Sequence, residues 1–266
     1  MNQKTYMQLS DLDPEQIKLS MTSDRHAKPA ISMYIGNNCA DVAFVTPACV
    51  THWPRCTGDG NFGTMWGPSD ISKAKFSLDL SDASINHDLN TGFISMSAKL
   101  EKIDEKLLEF VFQNQLKILG RKNLSKEECK MLQIRTVRAK YDKASGVLTG
   151  HNIQLNTPKF AWDGMGGKYE RKINICDHTG AVIPNGTVAP GDVVAATMYA
   201  SQVYTGVGGD KFGIQWCYDD VSVICQRSKL EMKTQVTVFN AQQYNFATSY
   251  DDQAVVGTFS DPLSVS

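Results

Sequence analysis

Pro190-Gly-Asp-Val-Val-Ala-Ala-Thr-Met-Tyr-Ala-Ser-Gln-Val-Tyr204 is followed, after a glycine-rich turn, by Lys211-Phe-Gly-Ile-Gln-Trp-Cys-Tyr-Asp-Asp-Val-Ser-Val-Ile224. β-Branched and aromatic residues dominate both stretches, and the loop Thr205-Gly-Val-Gly-Gly-Asp210 between them is typical of a hairpin. We therefore predict two long strands. Side chains two positions apart share a face of a strand, so the second strand aligns Phe212, Ile214, Trp216 and Tyr218. Such a row can line the inside of a barrel or form a platform on which bases stack.

The composition is that of a globular chain. A length of 266 residues allows one large domain or two small ones, and a hydrophobic content of 42% permits a sizeable core. There is no run of about 18 apolar residues, so we expect no membrane span. The segment Met1–Asp13 lacks the apolar region of a signal peptide, so we expect an intracellular protein. The seven cysteines include no C-x-x-C pair, which favours reduced, mostly buried thiols.

Strand-like segments lie on both sides of one amphipathic helix. Apolar residues keep helical spacing from Leu100 to Ile118, charged residues occupy the opposite face, and Gly120 ends the pattern. Ser125-Lys-Glu-Glu128 is a capping-box pattern that predicts a second, short helix. The strand-like segments are 31–50, 75–80, 131–141, 152–157, 169–177, 193–204 and 212–226. The pattern predicts a mainly β fold, a β-barrel with an inserted amphipathic helix and extended loops.

The chain divides into three parts by composition. We expect a polar N-terminal arm at 1–30, one folded nucleic-acid-binding domain at 31–227 and a polar C-terminal tail at 228–266. A loop rich in Gly, Trp and Phe occupies 53–68. It is either a flap that stacks on a ligand or a cap over one end of the barrel.

Charge is unevenly distributed along the chain. Residues 121–172 hold twelve Lys/Arg against five Asp/Glu, a net charge of +7, and the remainder of the chain carries −8. A segregated basic block is the usual footprint of an anionic partner. A solvated face that its neighbours in space neutralise would have the same composition, so both interpretations stay open.

Aromatic residues alternate with cations at three places inside this block. Nonspecific binding of a single strand requires cations that follow the phosphates and aromatic faces that stack on bases. For each aromatic residue taken singly, core packing is the competing interpretation. The candidate nucleic-acid-binding residues are Arg135, Arg138, Lys140, Tyr141, Lys159, Phe160, Trp162, Lys168, Tyr169 and Arg171.

No sign of catalysis is found in the sequence. There is no G-x-S-x-G motif and no zinc-like spacing of Cys and His, and Gly164-Met-Gly-Gly167 lacks the ending of a phosphate-binding loop. The pair Asp219-Asp220 has the residue type for metal-dependent nuclease chemistry, but a solvated turn or strand edge explains it better. We therefore expect no catalytic residue, no metal, no cofactor and no enzyme.

Several motifs occur in the order found in a known family. These are Val45-Thr-Pro47, the amphipathic helix, Tyr141-Asp-Lys143, Thr157-Pro-Lys159 and the Pro-Gly-Asp … Phe-Gly-Ile-Gln-Trp pair. Over residues 31–227 the layout resembles the single-stranded DNA-binding proteins of large eukaryotic DNA viruses, which are similar to the replication OB-fold proteins of some phages. The resemblance implies a five-stranded OB barrel with an inserted helix, and a homodimer or other homo-oligomer.

The same resemblance implies a function and partners. We expect a sequence-nonspecific single-stranded DNA-binding protein of replication and recombination, located at a viral replication site in the nucleus or cytoplasm of a host cell. Its partners would be single-stranded DNA and replication proteins such as polymerase, helicase or primase, with no membrane. Such proteins often end in a strongly acidic tail, whereas residues 249–266 hold only three acids.

Two other functions remain compatible with the sequence. One alternative is a viral structural or assembly protein with a β-rich fold and no nucleic-acid affinity. The near-neutral net charge of −1 and the aromatic-rich loops permit it. A metal-dependent nuclease is the other, and it rests on scattered acids alone.

Overall fold

A computed structural model describes most of the chain from residue 6 to residue 225 and two short pieces of the tail. The described residues are 6–23, 29–36, 40–51, 55–57, 62–63, 75–79, 87–141, 144–156, 160–162, 168–170, 174–183, 187–188, 191–225, 239–240 and 256–257.

Strands predominate in these ranges, and the helices lie together in the middle of the chain. The helices are α1 (His87–Gln113), α2 (Gln115–Leu119) and α3 (Lys126–Leu132). The strands are β1 (Met7–Gln8), β2 (Ile17–Ser23), β3 (Pro29–Ile35), β4 (Ala43–Val45), β5 (Cys49–Thr51), β6 (Arg55–Thr57), β7 (Phe62–Gly63), β8 (Lys75–Asp79), β9 (Gln133–Ile134), β10 (Val137–Tyr141), β11 (Leu148–Asn156), β12 (Phe160–Trp162), β13 (Lys168–Glu170), β14 (Asn174–Cys176), β15 (Thr187–Val188), β16 (Val193–Thr205), β17 (Phe212–Cys225), β18 (Phe239–Asn240) and β19 (Val256–Gly257).

Five of the strands pair in a closed cycle. β5 pairs with β8, β8 with β11, β11 with β17, β17 with β16, and β16 returns to β5. Counted along the chain, their order around the barrel is first, second, third, fifth, fourth, and the third and fifth strands run parallel. This is a Greek-key barrel of the OB type. The predicted mainly β fold with an OB-like barrel is confirmed, and the helices are inserted between the second and third barrel strands.

The hairpin that dominates the sequence is present as β16 and β17. They pair antiparallel from Val193↔Cys225 to Thr205↔Phe212, with the connection at 206–211. Phe212, Ile214, Trp216 and Tyr218 are all buried. The row therefore belongs to the barrel interior. It is not a stacking platform, because none of its four side chains is more than 8% exposed.

The inserted helix covers one side of the barrel with the predicted apolar face. Leu100, Ile103 and Leu107 of α1 are buried in the main core, and α1 begins at His87, earlier than the pattern indicated. Gly120 ends α2 in the left-handed conformation, with φ of 66°. The predicted capping box is formed: the hydroxyl of Ser125 accepts from the backbone N–H of Glu128, whose carboxylate accepts from the N–H of Ser125.

The N-terminal segment differs from the expected polar arm. β1 pairs with β4 and β2 with β3, and the side chain of Leu12 is fully buried. Lys99 of α1 donates from Nζ to the carbonyls of Leu9 at 2.6 Å and Leu12 at 2.8 Å, which fastens the segment to the helix. Leu12 lies between two short 3-10 turns, Leu9–Asp11 and Pro14–Gln16, so no periodic pattern in the sequence reveals its burial. The domain boundaries stay a prediction.

Three other predicted segments also differ in detail. The strand expected at 131–141 begins later, because α3 continues to Leu132. The strand expected at 169–177 is described as two separate strands, β13 and β14. The Trp-rich loop at 53–68 contains the paired strands β6 and β7, and its remaining residues lie outside the described ranges, so its role stays a prediction.

Burial determines the surroundings of several acidic and cysteine side chains. Asp219 was expected at a solvated edge, and this is wrong: it is buried and accepts a hydrogen bond from the hydroxyl of Tyr6. In the described part of the chain, no three His, Cys, Asp or Glu residues form a group that could hold a metal ion. The described cysteine side chains are free thiols, and burial raises the pKa of Cys49 and Cys176, the latter to about 11.

No helix in the described ranges combines the length and apolarity that crossing a bilayer requires.

Candidate nucleic-acid interface

A polar groove lies where β11, β16 and β17 meet the chain between β9 and β10. Its volume is about 350 Å³. Two arginines and four carboxamides supply most of its polar groups. The lining residues are Arg135, Thr136, Arg138, Gln154, Asn156, Gln202, Tyr204, Ile214, Gln215 and Trp216.

Strand alternation explains why polar side chains reach this groove. On β11, Ile153 and Leu155 are buried in the barrel core. Successive side chains of a strand point to opposite faces, so Gln154 and Asn156 lie on the outer face, where they line the groove. The apolar residues of β11 hold the barrel together while its polar residues form the floor of the site.

The two arginines form the cationic wall of the groove. Arg138 is half-buried and donates from Nη1 to Oε1 of Gln154 at 2.7 Å and from Nε to the carbonyl of Arg135 at 3.3 Å. Arg135 is exposed at the break between β9 and β10. Among the described residues, neither guanidinium forms an ion pair with a carboxylate. Both are therefore able to bind an anion.

A buried hydrogen-bond network lies directly behind this wall. Thr136 donates from its backbone N–H to Asp104 at 2.7 Å and from its hydroxyl at 2.8 Å. Burial raises the pKa of Asp104 to about 6, while the hydrogen bonds from Thr136 and the positive charge of Arg135 oppose the shift. The network joins α1 to the residue next to Arg135, so it fixes the backbone that carries the guanidinium.

Tyr204 provides the aromatic surface of the groove. It is half-buried, and burial raises the pKa of its hydroxyl, an effect that the charge of Arg138 opposes. A Cβ atom at Gly213 would lie 3.0 Å from the Tyr204 hydroxyl oxygen and 2.8 Å from the carbonyl oxygen of Ile134. Glycine at position 213 therefore lets the tyrosine and β9 approach β17 closely.

Lys140 does not line the groove. Its ammonium forms an ion pair with the carboxylate of Asp79, which is only 4% exposed. Ser77 also donates to this carboxylate, at 2.9 Å. Lys140 therefore neutralises a buried acid on the barrel wall, a task that the sequence analysis did not assign to it.

Tyr141 lies at the outer end of the β10–β11 hairpin, apart from the groove. It pairs with Leu148, next to a register shift between Lys140 and Tyr141. Its side chain is 63% exposed, and Leu148 is 50% exposed. A base can reach this ring, but Tyr141 does not line the groove that contains Arg138.

The remaining predicted residues surround the hairpin of β12 and β13. Phe160 pairs with Glu170, Ala161 with Tyr169, and Trp162 with Lys168. The side chains of Phe160, Trp162, Lys168 and Tyr169, and all of Lys159 and Arg171, lie outside the described residues. Their role in binding stays a prediction.

The uncharged part of the groove was not predicted from the sequence. The predicted residues are cations and aromatic residues, whereas the floor of the groove consists of amides and one tyrosine: Gln154, Asn156, Gln202, Tyr204 and Gln215. A signal was available in β11, where Asn152 to Asn156 alternates amides with Ile153 and Leu155. Amides that alternate with core residues on a barrel strand mark a polar outer face.

Comparisons with known proteins give distant similarities to solved structures. No protein-family model and no curated protein matches the chain. Among solved structures, the crystal structure of gp2.5, a single-stranded DNA-binding protein encoded by bacteriophage T7, is similar at 10% identity, over 70% of this chain and 88% of that one, with a TM-score of 0.43. The single-stranded DNA-binding protein of bacteriophage Enc34 in complex with single-stranded DNA is similar at 9% identity, over 79% of this chain and 96% of that one, with a TM-score of 0.31.

A C-terminally truncated form of the Enc34 protein is similar at 8% identity, over 79% of this chain and 96% of that one, with a TM-score of 0.34. The similar structures named here are all phage proteins. The expected likeness to proteins of large eukaryotic DNA viruses stays a prediction.

Proposed function

We propose that this protein binds single-stranded DNA and is not an enzyme. The observation that carries the proposal is the groove across the barrel wall, where Arg135 and Arg138 stand without carboxylate partners among the described residues. Phosphate oxygens accept hydrogen bonds from guanidinium groups, which are planar and always charged. The loops and one face of an OB barrel are where this fold binds oligonucleotides in general.

The groove suits a flexible strand better than a duplex. A volume of about 350 Å³ is of the order that encloses a small organic group, whereas a DNA duplex is a broad, rigid ligand. Tyr204 supplies one aromatic surface within the groove, and Tyr141 supplies another at the hairpin end. Stacking of a base on an aromatic side chain contributes about 1–3 kcal/mol and tolerates any sequence.

The finer parts of the function are proposals as well. We assign the protein to replication or recombination of viral DNA at the replication site in a host cell, as a homo-oligomer that meets polymerase, helicase or primase. The support for this is the motif order in the sequence, and the phage proteins named above bind the same ligand. Stacking on Phe160, Trp162 and Tyr169 belongs to the same proposal.

A binding experiment tests the proposal. Fluorescence anisotropy of a labelled oligo-dT of about 30 nucleotides, over a range of salt concentrations and against duplex competitor, should show salt-sensitive binding that prefers the single strand. Each phosphate contact to a single strand contributes about 0.7 to the slope of log K against log salt. The Arg135→Ala/Arg138→Ala variant should therefore bind more weakly, with a slope reduced by about 1.4.

A control variant separates this site from general charge. Arg121→Ala/Lys122→Ala removes the same charge from exposed positions of the basic block that do not line the groove. It should retain most of the affinity. Equal losses in both variants would contradict the assignment of the groove. Absence of binding at low salt would favour a structural or assembly protein instead.

A further inference from the structure

Four carboxamides line the groove, and each forms at least one hydrogen bond within the protein. Gln154 and Asn156 lie on β11, Gln202 on β16 and Gln215 on β17. A carboxamide has an oxygen that accepts and an NH2 group that donates. If the oxygen is bound within the protein, the NH2 group remains as a donor for a ligand. If the NH2 group is bound, the oxygen remains as an acceptor.

The partners of Gln154 and Asn156 fix the orientation of both amides. Oε1 of Gln154 accepts from Arg138 at 2.7 Å, and a guanidinium has only donors. Nδ2 of Asn156 donates to the carbonyl of Trp216 at 3.2 Å, and a carbonyl only accepts. The assignment of oxygen and nitrogen therefore follows from chemistry. Gln154 presents its NH2 group to the groove, and Asn156 presents its oxygen.

Gln202 and Gln215 form a second pair of this kind. Nε2 of Gln202 donates to Oε1 of Gln215 at 2.6 Å, across the paired strands β16 and β17. If both amides were turned over, the bond would run in the opposite direction. Nε2 of Gln215 also donates to Sγ of Cys217 at 4.0 Å, which uses one of its two N–H groups. The oxygen of Gln202 and the second N–H of Gln215 remain for a ligand. The groove thus presents two donor–acceptor pairs in addition to its arginines.

Single-stranded DNA has few groups that can satisfy an acceptor. Phosphate and sugar oxygens of DNA accept hydrogen bonds, and DNA lacks the 2′-hydroxyl that lets RNA donate along its backbone. The donors within a DNA strand are the N–H groups on the edges of its bases. In a duplex, base pairing occupies the Watson–Crick edge. The free oxygens of the groove therefore match the edges of unpaired bases.

We propose that the two donor–acceptor pairs bind the Watson–Crick edges of unpaired bases, with the arginines on the neighbouring phosphates. This inference rests on the proposed function and deepens it. Every base has at least one donor and one acceptor on that edge, so the arrangement selects unpaired bases without requiring one sequence. The two donor–acceptor pairs thus make the protein prefer single-stranded over double-stranded DNA. Cations and aromatic faces alone do not provide this preference.

The test compares oligo-dT with an oligonucleotide of the same length made of N3-methylthymidine. Methylation removes the N3–H donor and retains the phosphates and the aromatic ring. One hydrogen bond contributes about 1 kcal/mol, so we expect the wild-type protein to bind the methylated strand at least about fivefold more weakly. Equal affinity for both strands, with salt-sensitive binding intact, would overturn the inference and leave the proposed function standing. No binding to either strand would overturn both.

Variants distinguish lost hydrogen bonds from a steric effect of the methyl group. Asn156→Leu and Gln215→Met remove one amide from each pair, and each should reduce the discrimination between the two strands. Gln113→Met is the matched control, because Gln113 is an exposed amide on α1 that does not line the groove. It should discriminate as the wild type does. Undiminished discrimination in both groove variants would also overturn the inference.

Discussion

Trp216 donates its indole N–H to the hydroxyl of Thr136 at 2.9 Å. The same hydroxyl donates to Asp104, so one side chain joins the barrel interior, the groove wall and α1. Thr136→Val keeps the shape and removes both bonds. A buried group that loses its partner costs about 1–3 kcal/mol, so we expect a loss of that size in the free energy of unfolding, measured with urea.

Thr136→Ser serves as the control for this prediction, since it keeps the hydroxyl and loses only a methyl group. It should retain most of the stability that Thr136→Val loses. The same variants also bear on the groove, because Arg135 precedes Thr136 in the chain. Thr136→Val should weaken single-strand binding even though the threonine carries no charge.

The raised pKa of Asp104 predicts a pH-dependent stability. The pKa rises from 3.8 to about 6 on folding, mainly through burial, so the folded protein holds the proton more tightly than the unfolded chain. The contribution of Asp104 is therefore most favourable below about pH 4 and is lost as the pH rises to about 6. Relative to Asp104→Asn, the wild type should lose about 3 kcal/mol between about pH 3 and pH 7, of which about 2 kcal/mol falls between pH 4 and pH 6. Urea unfolding of both proteins at several pH values measures the difference, and a constant difference would contradict it.

The ion pair between Lys140 and Asp79 should stabilise the folded protein. Lys140→Met removes the cation and leaves the carboxylate of Asp79 buried, at 4% exposure. Removing one partner of a buried pair is costly, and since Lys140 is partly exposed we expect a loss of about 1–3 kcal/mol. Adding Asp79→Asn should recover much of it. A double-mutant cycle measures the coupling, and additive losses would show that the pair contributes nothing.

Two neighbouring glycines provide a matched pair for backbone strain. Gly208 and Gly209 have φ values of 70° and 68°. A Cβ atom at Gly208 would contact nothing within 4 Å, whereas one at Gly209 would lie 2.2 Å from the carbonyl oxygen of Leu119. Gly208→Ala should cost about 1–2 kcal/mol from the left-handed conformation alone. Gly209→Ala should cost clearly more in thermal unfolding, because it also displaces the end of α2. Equal costs would contradict the close approach.

The sequence allowed the fold to be predicted where periodicity was strong. The β16–β17 hairpin and the capping box at Ser125 follow from local patterns, and both are present. The helix predicted from Leu100 to Ile118 is present as two helices, α1 and α2, which are divided at Asn114. The N-terminal segment was misjudged because its packing depends on distant partners. Leu12 is buried through tertiary contacts, and Lys99 lies far from it in the sequence.

The site was predictable only in its charges. The basic block predicted Arg135 and Arg138 as binding residues; both line the groove, and their role in binding stays a prediction. Lys140 has the same local sequence character, yet its charge is committed to Asp79, a partner that only the pairing of β8 with β11 brings near. The amides of the groove floor were not predicted, because a single polar uncharged residue carries no recognisable signal in the sequence. Its role becomes visible only when the strands beside it are known.

The closed barrel has a consequence for the time course of folding. Its seam joins the first and fourth barrel strands: Thr46 accepts from the N–H of Ala196, which is 150 positions away, and Thr51 donates to Asp192, which is 141 positions away. Contacts of such separation form late and slowly, on the order of milliseconds to seconds. Until the seam closes, the edges of β5 and β16 are open to other chains. The faster this seam closes after synthesis, the less newly made protein should aggregate.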